Sequence, residues 1–527
     1  MSNEKYNKES GVQKSKGIID DRNGPKILSS RNLKSYFIVL GVILGIVAIY
    51  YLLYNIIAGP TLGGPPPPSP SVSTLSVSSI SSIVSFSQPP NGGGTSPNNI
   101  WPLWGTFTIP TLFGIIICVI VFLIFSLSVL YFYRRRNMNP PIILITIVGI
   151  ILIIGTNLIQ GWVIGIENPI GGFSEIFTDV VNVDNMFTFI MNFEELQSTL
   201  SVHAQTQPPG AVLIIYLLYL VFRTPGLIAI ALCVLATILS VYFIKGIYQR
   251  IFDKKLSNYM VFLFLLLPAI QVYYLANIYA IVASLLFGVI YFYLHPNRKI
   301  SIIGSLCCLF LLSFMTFLFV YVVIFLFLFE LLKARRDGFF TKLSVKKDGI
   351  FKWMNDLAKR AQSLIILVAS LVIIYGFLLL IGFNYINAFL YASSSTSGFT
   401  LFSNPVNYFV TRLQNILDIL IFFGPILIVL CYRGVKNLKE DSKRETEVSN
   451  TYLLVISAIL ALLILFLAGA PNKGETARIC MFILPFLLIP VAYNLQKEKY
   501  SQIEKIKLLA LVFGQALLFQ LIATWVW

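Results

Sequence analysis

The sequence predicts an all-α, polytopic membrane protein of about thirteen transmembrane helices, and three observations carry that prediction. Of 527 residues, 57% are apolar and only 12% charged, with a mean hydropathy of +0.81. A water-soluble domain carries about twice that charged share. The apolar residues gather into runs of roughly 17 to 25, long enough to cross a bilayer. The net charge of +16 comes from Lys and Arg in short clusters between those runs. That is how cytoplasmic loops are built, so the excess speaks for topology and against a nucleic-acid partner.

Residues 1–34 read as a polar, basic cytoplasmic tail without an apolar core. The uncharged run 35–58 follows at once. A cleaved signal peptide needs a shorter lead and a shorter apolar region, so 35–58 is the first, anchored helix. From 59 to 103 the chain has the run Pro65 to Pro68, Ser/Val alternation and Gly92 to Gly94, without one charge. Such a composition cannot bury a core and reads as an extended external linker. A second helix is expected at 107–133. Further spans are expected at 140–163, 226–244, 259–275, 276–294, 300–315, 316–332, 361–384, 414–432, 451–469, 478–495 and 507–526.

The cations check this arrangement. With the N-terminus inside, the clusters at 134–136, 245–255, 298–299, 333–360, 433–444 and 497–507 all fall on the cytoplasmic side. The opposite segments, 59–103, 165–210, 384–411 and 469–477, almost lack basic residues. The parity requires that 211–222 does not cross. The six cysteines lie in or at the ends of apolar runs and suggest neither a disulfide framework nor a zinc site.

Two segments on the external side could carry chemistry. The first, 165–210, holds Glu167, Glu175, Asp179, Asp184, Glu194 and Glu195, and no Lys or Arg occurs from Asn137 to Phe222. It reads either as a solvated acidic loop or as a site where a carboxylate acts as a base or holds a divalent cation. The spacing of Phe187, Phe189, Ile190, Phe193, Leu196 and Leu200 is helical, so an amphipathic structure at the membrane face is expected. The segment ends in His203, Gln207, Pro208, Pro209 and Gly210. A Pro pair pre-sets a helix start whose free N–H groups can face an anion, while His203 alone fits a capped interfacial histidine as well as a site residue.

The second segment runs Gly474, Glu475, Thr476, Ala477, Arg478, Ile479 into an apolar span. Lys473 and Arg478 stand where the charge rule disfavours them. Glu475 and Arg478 are three apart and share a helix face. They form either a buried pair that fixes packing or a phosphate grip, for which the planar guanidinium is suited. Arg412 reads as an interface anchor or second phosphate contact, and Arg223 as a turn residue. No nucleotide-binding glycine motif, HExxH pattern or Ser-His-Asp elbow is present.

The stretch from Phe187 through Leu200-Ser-Val-His203 to Pro208-Pro-Gly210 resembles the first external loop of GT-C class membrane glycosyltransferases. It is most similar to relatives of the dolichyl-phosphate-mannose protein mannosyltransferases, and Gly474-Glu-Thr-Ala-Arg478-Ile resembles a late loop of the same relatives. The resemblance covers about 140–527 as a transmembrane catalytic core, and leaves the tail, the first two helices and the linker outside it. Gln207 stands where those relatives commonly carry His, and Cys480 where they carry Trp. The resemblance implies an inverting glycosyltransferase in the plasma membrane, with a cytoplasmic N-terminus and an extracytoplasmic active site. Its donor would be a polyprenyl-phosphate (dolichyl-phosphate) sugar and its acceptor a glycan, lipid or protein. Asp179 is the implied base and Asp184 the reserve. Arg478 and His203, with Gln207, are implied to hold the phosphate, and Glu475 to orient Arg478 or bind a sugar hydroxyl. No cofactor is required by this reading, and a divalent cation stays open. The rivals are a transporter or lipid flippase, which calls for internal repeats or ionisable residues deep in several spans, and a non-catalytic scaffold of the same fold.

Overall fold

The computed structural model describes residues 25–58, 105–136, 139–172, 175–337, 362–380, 382–395, 401–402, 405–471 and 475–525. Most of the expected tail, the 59–103 linker, the basic segment 338–361, and Lys473 with Gly474 lie outside the described residues.

The chain is predominantly helical. In order come α1 (Ser30–Ala58), the strand β1 (Gly105–Phe107), α2 (Leu112–Arg136), α3 (Ile142–Leu158), α4 (Gly210–Phe222), α5 (Pro225–Tyr248) and α6 (Lys254–Leu265). Then follow α7 (Pro268–Tyr273), α8 (Ile278–Tyr293), α9 (Arg298–Met315), α10 (Phe319–Arg336), α11 (Gln362–Leu380) and α12 (Tyr385–Ser395). The last are α13 (Pro405–Phe423), α14 (Pro425–Asp441), α15 (Thr446–Leu467), α16 (Leu484–Lys497), α17 (Gln502–Ile522) and β2 (Ala523–Trp525). Among the described residues, 6 helices are long and apolar enough to cross a membrane, or up to 7 if the bent pair α13–α14 is one span. The shorter apolar helices include α3, α4 and α8. At 13 residues α4 is about 20 Å long, short of the ~30 Å hydrocarbon core. Arg223 closes it in a left-handed turn, φ 59°, with its guanidinium over the Tyr219 ring.

Two expected spans are interrupted. The run 259–275 breaks between α6 and α7, where Pro268 cannot donate a backbone hydrogen bond and Leu267 turns extended. A broken helix inside apolar surroundings must find partners for its freed carbonyls. The Gln271 side chain donates to Leu265 O at 2.5 Å, and Gln271 O in turn accepts from Asn157 Nδ2 at 2.8 Å and Thr156 Oγ1 at 3.2 Å. Gln520 closes this buried network on Asn157 Oδ1 at 3.0 Å. The run 414–432 breaks at Gly424, where the axes of α13 and α14 turn by 98°. Gly424 takes φ +99°, a conformation that glycine adopts without a Cβ penalty.

The buried centre is made by α6, α7 and α8, flanked by α5 and α9. Residues 256–265 of α6 are all buried, as is the whole of α7. Next to it α14 packs along α16, and α10 along α15, where Tyr321 donates to Ala458 O at 3.1 Å. β1 pairs antiparallel with β2, Thr106 opposite Thr524, and Phe125 of α2 stacks on Phe513 of α17 at 4.6 Å. α14 approaches α16 closely at Gly434, where a Cβ would lie 1.9 Å from Pro490 O. Gly434→Ala is therefore expected to separate α14 from α16 and to destabilise the protein by about 1–3 kcal/mol or more. A thermal midpoint in detergent equal to that of the parent would contradict this packing.

Candidate functional site

The segment 165–210 folds as a chain of short helical turns, among them Phe177–Val180, Met186–Met191, Phe193–Gln197 and Val202–Gln205. The expected amphipathic pattern is present only in part. Phe189 and Phe193 are buried edge to face at 5.7 Å, and Phe193 meets Phe383 at 5.9 Å, while Phe187 and Leu196 are exposed.

The six carboxylates of this segment separate by what they touch. Glu167 accepts from Trp162 Nε1 at 2.7 Å. Glu194 holds the start of α12, accepting from Asn384 N and Asn387 Nδ2, each at 2.9 Å. Asp179 takes three hydrogen bonds from Ser201: the backbone N–H at 2.9 and 3.1 Å and the hydroxyl at 2.5 Å. Asp184 and Glu195 are exposed. Glu175 lines a pocket shared with His203, Gln207, Asn277, Tyr279 and Arg478, and the other five carboxylates do not line this pocket.

Asp179 thus sits outside the pocket and ties Phe177–Val180 to the N-cap of the turn that carries His203. Burial raises its carboxyl above the ordinary range, and the Ser201 bonds pull it back. Ser201→Ala and Asp179→Asn are both expected to lower the thermal midpoint. If Asp179 only positions His203, Asp179→Asn also leaves the shape of any pH–activity profile unchanged. Loss of the alkaline-rising limb in Asp179→Asn would return a proton-transfer role to this residue.

In the pocket, His203 Nε2 stands 3.5 Å from Glu175 Oε1. Gln207 donates to the Tyr279 hydroxyl at 2.5 Å, and its own Oε1 is buried without a partner. Asn277 caps α8 through its Oδ1, 2.9 Å from Tyr279 N, which leaves its buried Nδ2 unpaired. Arg478 enters from the short helix Thr476–Ile479. It is only 7% exposed, pairs with Glu475 Oε1 at 3.1 Å, and keeps a buried, unpaired Nε. Unpaired buried polar atoms are costly and call for a reason, and three of them converge here. Ala276, also in the wall, takes φ 60°, a strained value for alanine of the kind that clusters at working sites. Burial pushes the Glu175 carboxyl up to about 8; the Arg478 charge lowers it and the Glu475 charge adds to the rise.

The expected anion-facing N–H groups at the start of α4 are used differently. Ala211 N donates to Pro208 O, and Val212 and Leu213 N donate to Pro209 O, while Gly210 packs on the Phe314 backbone. Arg412 also lies elsewhere, donating to the carbonyls of Phe466, Ala470 and Pro471.

Sequence reasoning missed the support behind Arg478. Asp418 of α13, 1% exposed, accepts from Ala477 N at 2.7 Å and so holds the short helix Thr476–Ile479 that carries the arginine. A lone acid in an apolar run is a signal in itself, because its burial requires a partner. Among the described residues no group of three His, Cys, Asp or Glu side chains comes together to hold a metal. The free space of the pocket is about 30 Å³, room for one or two waters at roughly 10–15 Å³ each. No protein-family model and no curated protein matches the chain.

Proposed function

We propose that this protein is a membrane glycosyltransferase of GT-C type that moves a sugar from a polyprenyl-phosphate carrier to an acceptor hydroxyl, with inversion. The observation that carries the reading is the meeting, in one pocket, of Glu175 and His203 from one motif-bearing segment with Arg478 from another about three hundred residues away. In this reading the shorter apolar helices other than α4 also cross, thirteen spans in all. The N-terminus is cytoplasmic, the pocket faces the outside of the plasma membrane, and the carrier's chain lies against the apolar helices.

Transfer needs an acceptor relieved of its proton, an aligned anomeric carbon and a stabilised leaving phosphate. Glu175 takes the acceptor proton as the new C–O bond forms at the anomeric carbon. The old C–O bond breaks, and its electron pair leaves with the polyprenyl phosphate. Arg478 holds the charge that builds there, as a preorganised donor in a dry site does best, and His203 adds a second contact. Glu475 orients Arg478, Gln207 and Tyr279 offer hydrogen bonds to the sugar, and Asp179 positions the His203 turn. The role of base thus moves from Asp179 and Asp184 to Glu175, because Asp179 is engaged by Ser201 and Asp184 is exposed. A pocket of about 30 Å³ cannot admit a sugar phosphate, so donor binding in this reading requires the 165–210 segment to move outward.

The test is purified protein with a panel of polyprenyl-phosphate sugars, following release of polyprenyl phosphate and labelled acceptor. Transbilayer movement of the carrier without glycosyl transfer would favour a flippase and overturn the reading.

A further inference from the structure

A second cavity, which shares no lining residue with the Glu175–Arg478 pocket, lies between α1 and α14. It offers about 640 Å³ of free space and is lined by Ile38 and Val39 of α1, by one face of α14, and by Glu498 just beyond α16. The start of α1 is fastened there. Ile27 N donates to Glu504 Oε2 at 2.7 Å, the Tyr36 hydroxyl to Ile27 O at 3.0 Å, and Arg433 to the Asn32 side chain.

The α14 wall is graded. Val429, Arg433, Lys436 and Glu440 follow the i, i+4, i+7, i+11 spacing of one helix face. At a rise of about 1.5 Å per residue, the arginine stands ~6 Å beyond the valine and the glutamate ~6 Å beyond the lysine. The wall therefore runs from aliphatic to cationic to anionic, and Glu498 adds a second carboxylate. Lys436 and Glu440 are four apart, yet among the described residues neither belongs to an ion pair. Among the described residues, Arg433 is held by Asn32 through one of its five N–H groups.

We infer that the cavity between α1 and α14 binds a phospholipid with a primary-amine headgroup, of the phosphoethanolamine class. Its acyl chain lies along Ile38, Val39 and Val429, and its phosphate meets Arg433 and Lys436. Its ammonium, two carbons beyond the phosphate, reaches Glu440 and Glu498. A choline headgroup has no N–H to donate to those carboxylates, and a glycerol headgroup brings no cation to them. The inference is independent of the transferase reading, since none of these residues touches the Glu175 pocket.

The experiment is lipid retention by the full-length protein. Detergent-purified protein is exposed to an equimolar mixture of phosphatidylethanolamine, phosphatidylcholine and phosphatidylglycerol with identical acyl chains, and bound lipid is counted by native mass spectrometry. The ethanolamine lipid is expected to be retained about tenfold over either competitor, the value of a charge-assisted hydrogen bond. Glu440→Gln alone, and Glu440→Gln with Glu498→Gln, should erase its advantage over the glycerol lipid, while Lys436→Gln should weaken all three. Each variant is compared at an unchanged thermal midpoint. Equal retention of the three lipids by the parent protein overturns the inference, as does a preference for the glycerol lipid or an undiminished ethanolamine preference in the folded Glu440→Gln variant.

Discussion

Arg478→Ala is expected to lower polyprenyl-phosphate release by about 10² to 10³-fold, the usual cost of removing one donor aimed at developing charge. The guanidinium is buried, and its Nε has no protein partner. A fixed, desolvated fork of this kind suits a phosphate. Arg478→Lys keeps the charge but loses the fork, so it should restore only part of the rate. Removing the arginine also strands Glu475 beside the buried Glu175 carboxyl, and breaking this part-buried pair is expected to lower stability as well as rate. Arg478→Gln combined with Glu475→Gln removes both charges and separates chemistry from folding. If that double variant is folded and fully active, Arg478 serves helix packing and the phosphate grip is wrong.

Glu175→Gln is expected to cost about 10² to 10⁴-fold in turnover, the contribution of a general base, with donor binding largely kept. The pH dependence carries the sign. Burial pushes this carboxyl up to about 8, and only its ionised form accepts a proton, so kcat/KM should rise with pH through that value in the free protein. Because the Glu475 charge adds to the rise, Glu475→Gln should move the limb to lower pH. Stability follows from linkage. The folded pKa of about 8 lies above the ordinary 4.5, so between those values the folded state holds a proton that the unfolded chain has released. The stability of the parent protein therefore falls as pH rises across this window, by at most ~1.4 kcal/mol per unit. Glu175→Gln lacks that slope and should gain on the parent between pH 5 and pH 8. A limb that persists unchanged in Glu175→Gln would exclude it as the base.

Much of the candidate site was legible in the chain. His203, Gln207, Glu475 and Arg478 stand out locally, by motif or by a cation where the charge rule disfavours one. The interruption at Pro268 could have been read from the missing N–H, whereas the turn at Gly424 depends on what packs around it. The choice of Glu175 among six carboxylates had no local signal. Each acid looks alike in sequence, and Trp162, Ser201 and Asn384 engage three of them only once the chain is folded.

The sequence by itself determined the helical, membrane-suited character of this protein and the rough places of its helices. Apolar run length and charge clustering are local properties, and a bilayer rewards them wherever they occur. Tertiary structure alone decided which acid stands with Arg478 and that Asp418 holds the arginine's short helix. It also decided that Asp179 is spent on Ser201. These are encounters between side chains tens to hundreds of residues apart, and they depend on how helices pack, which no local pattern encodes.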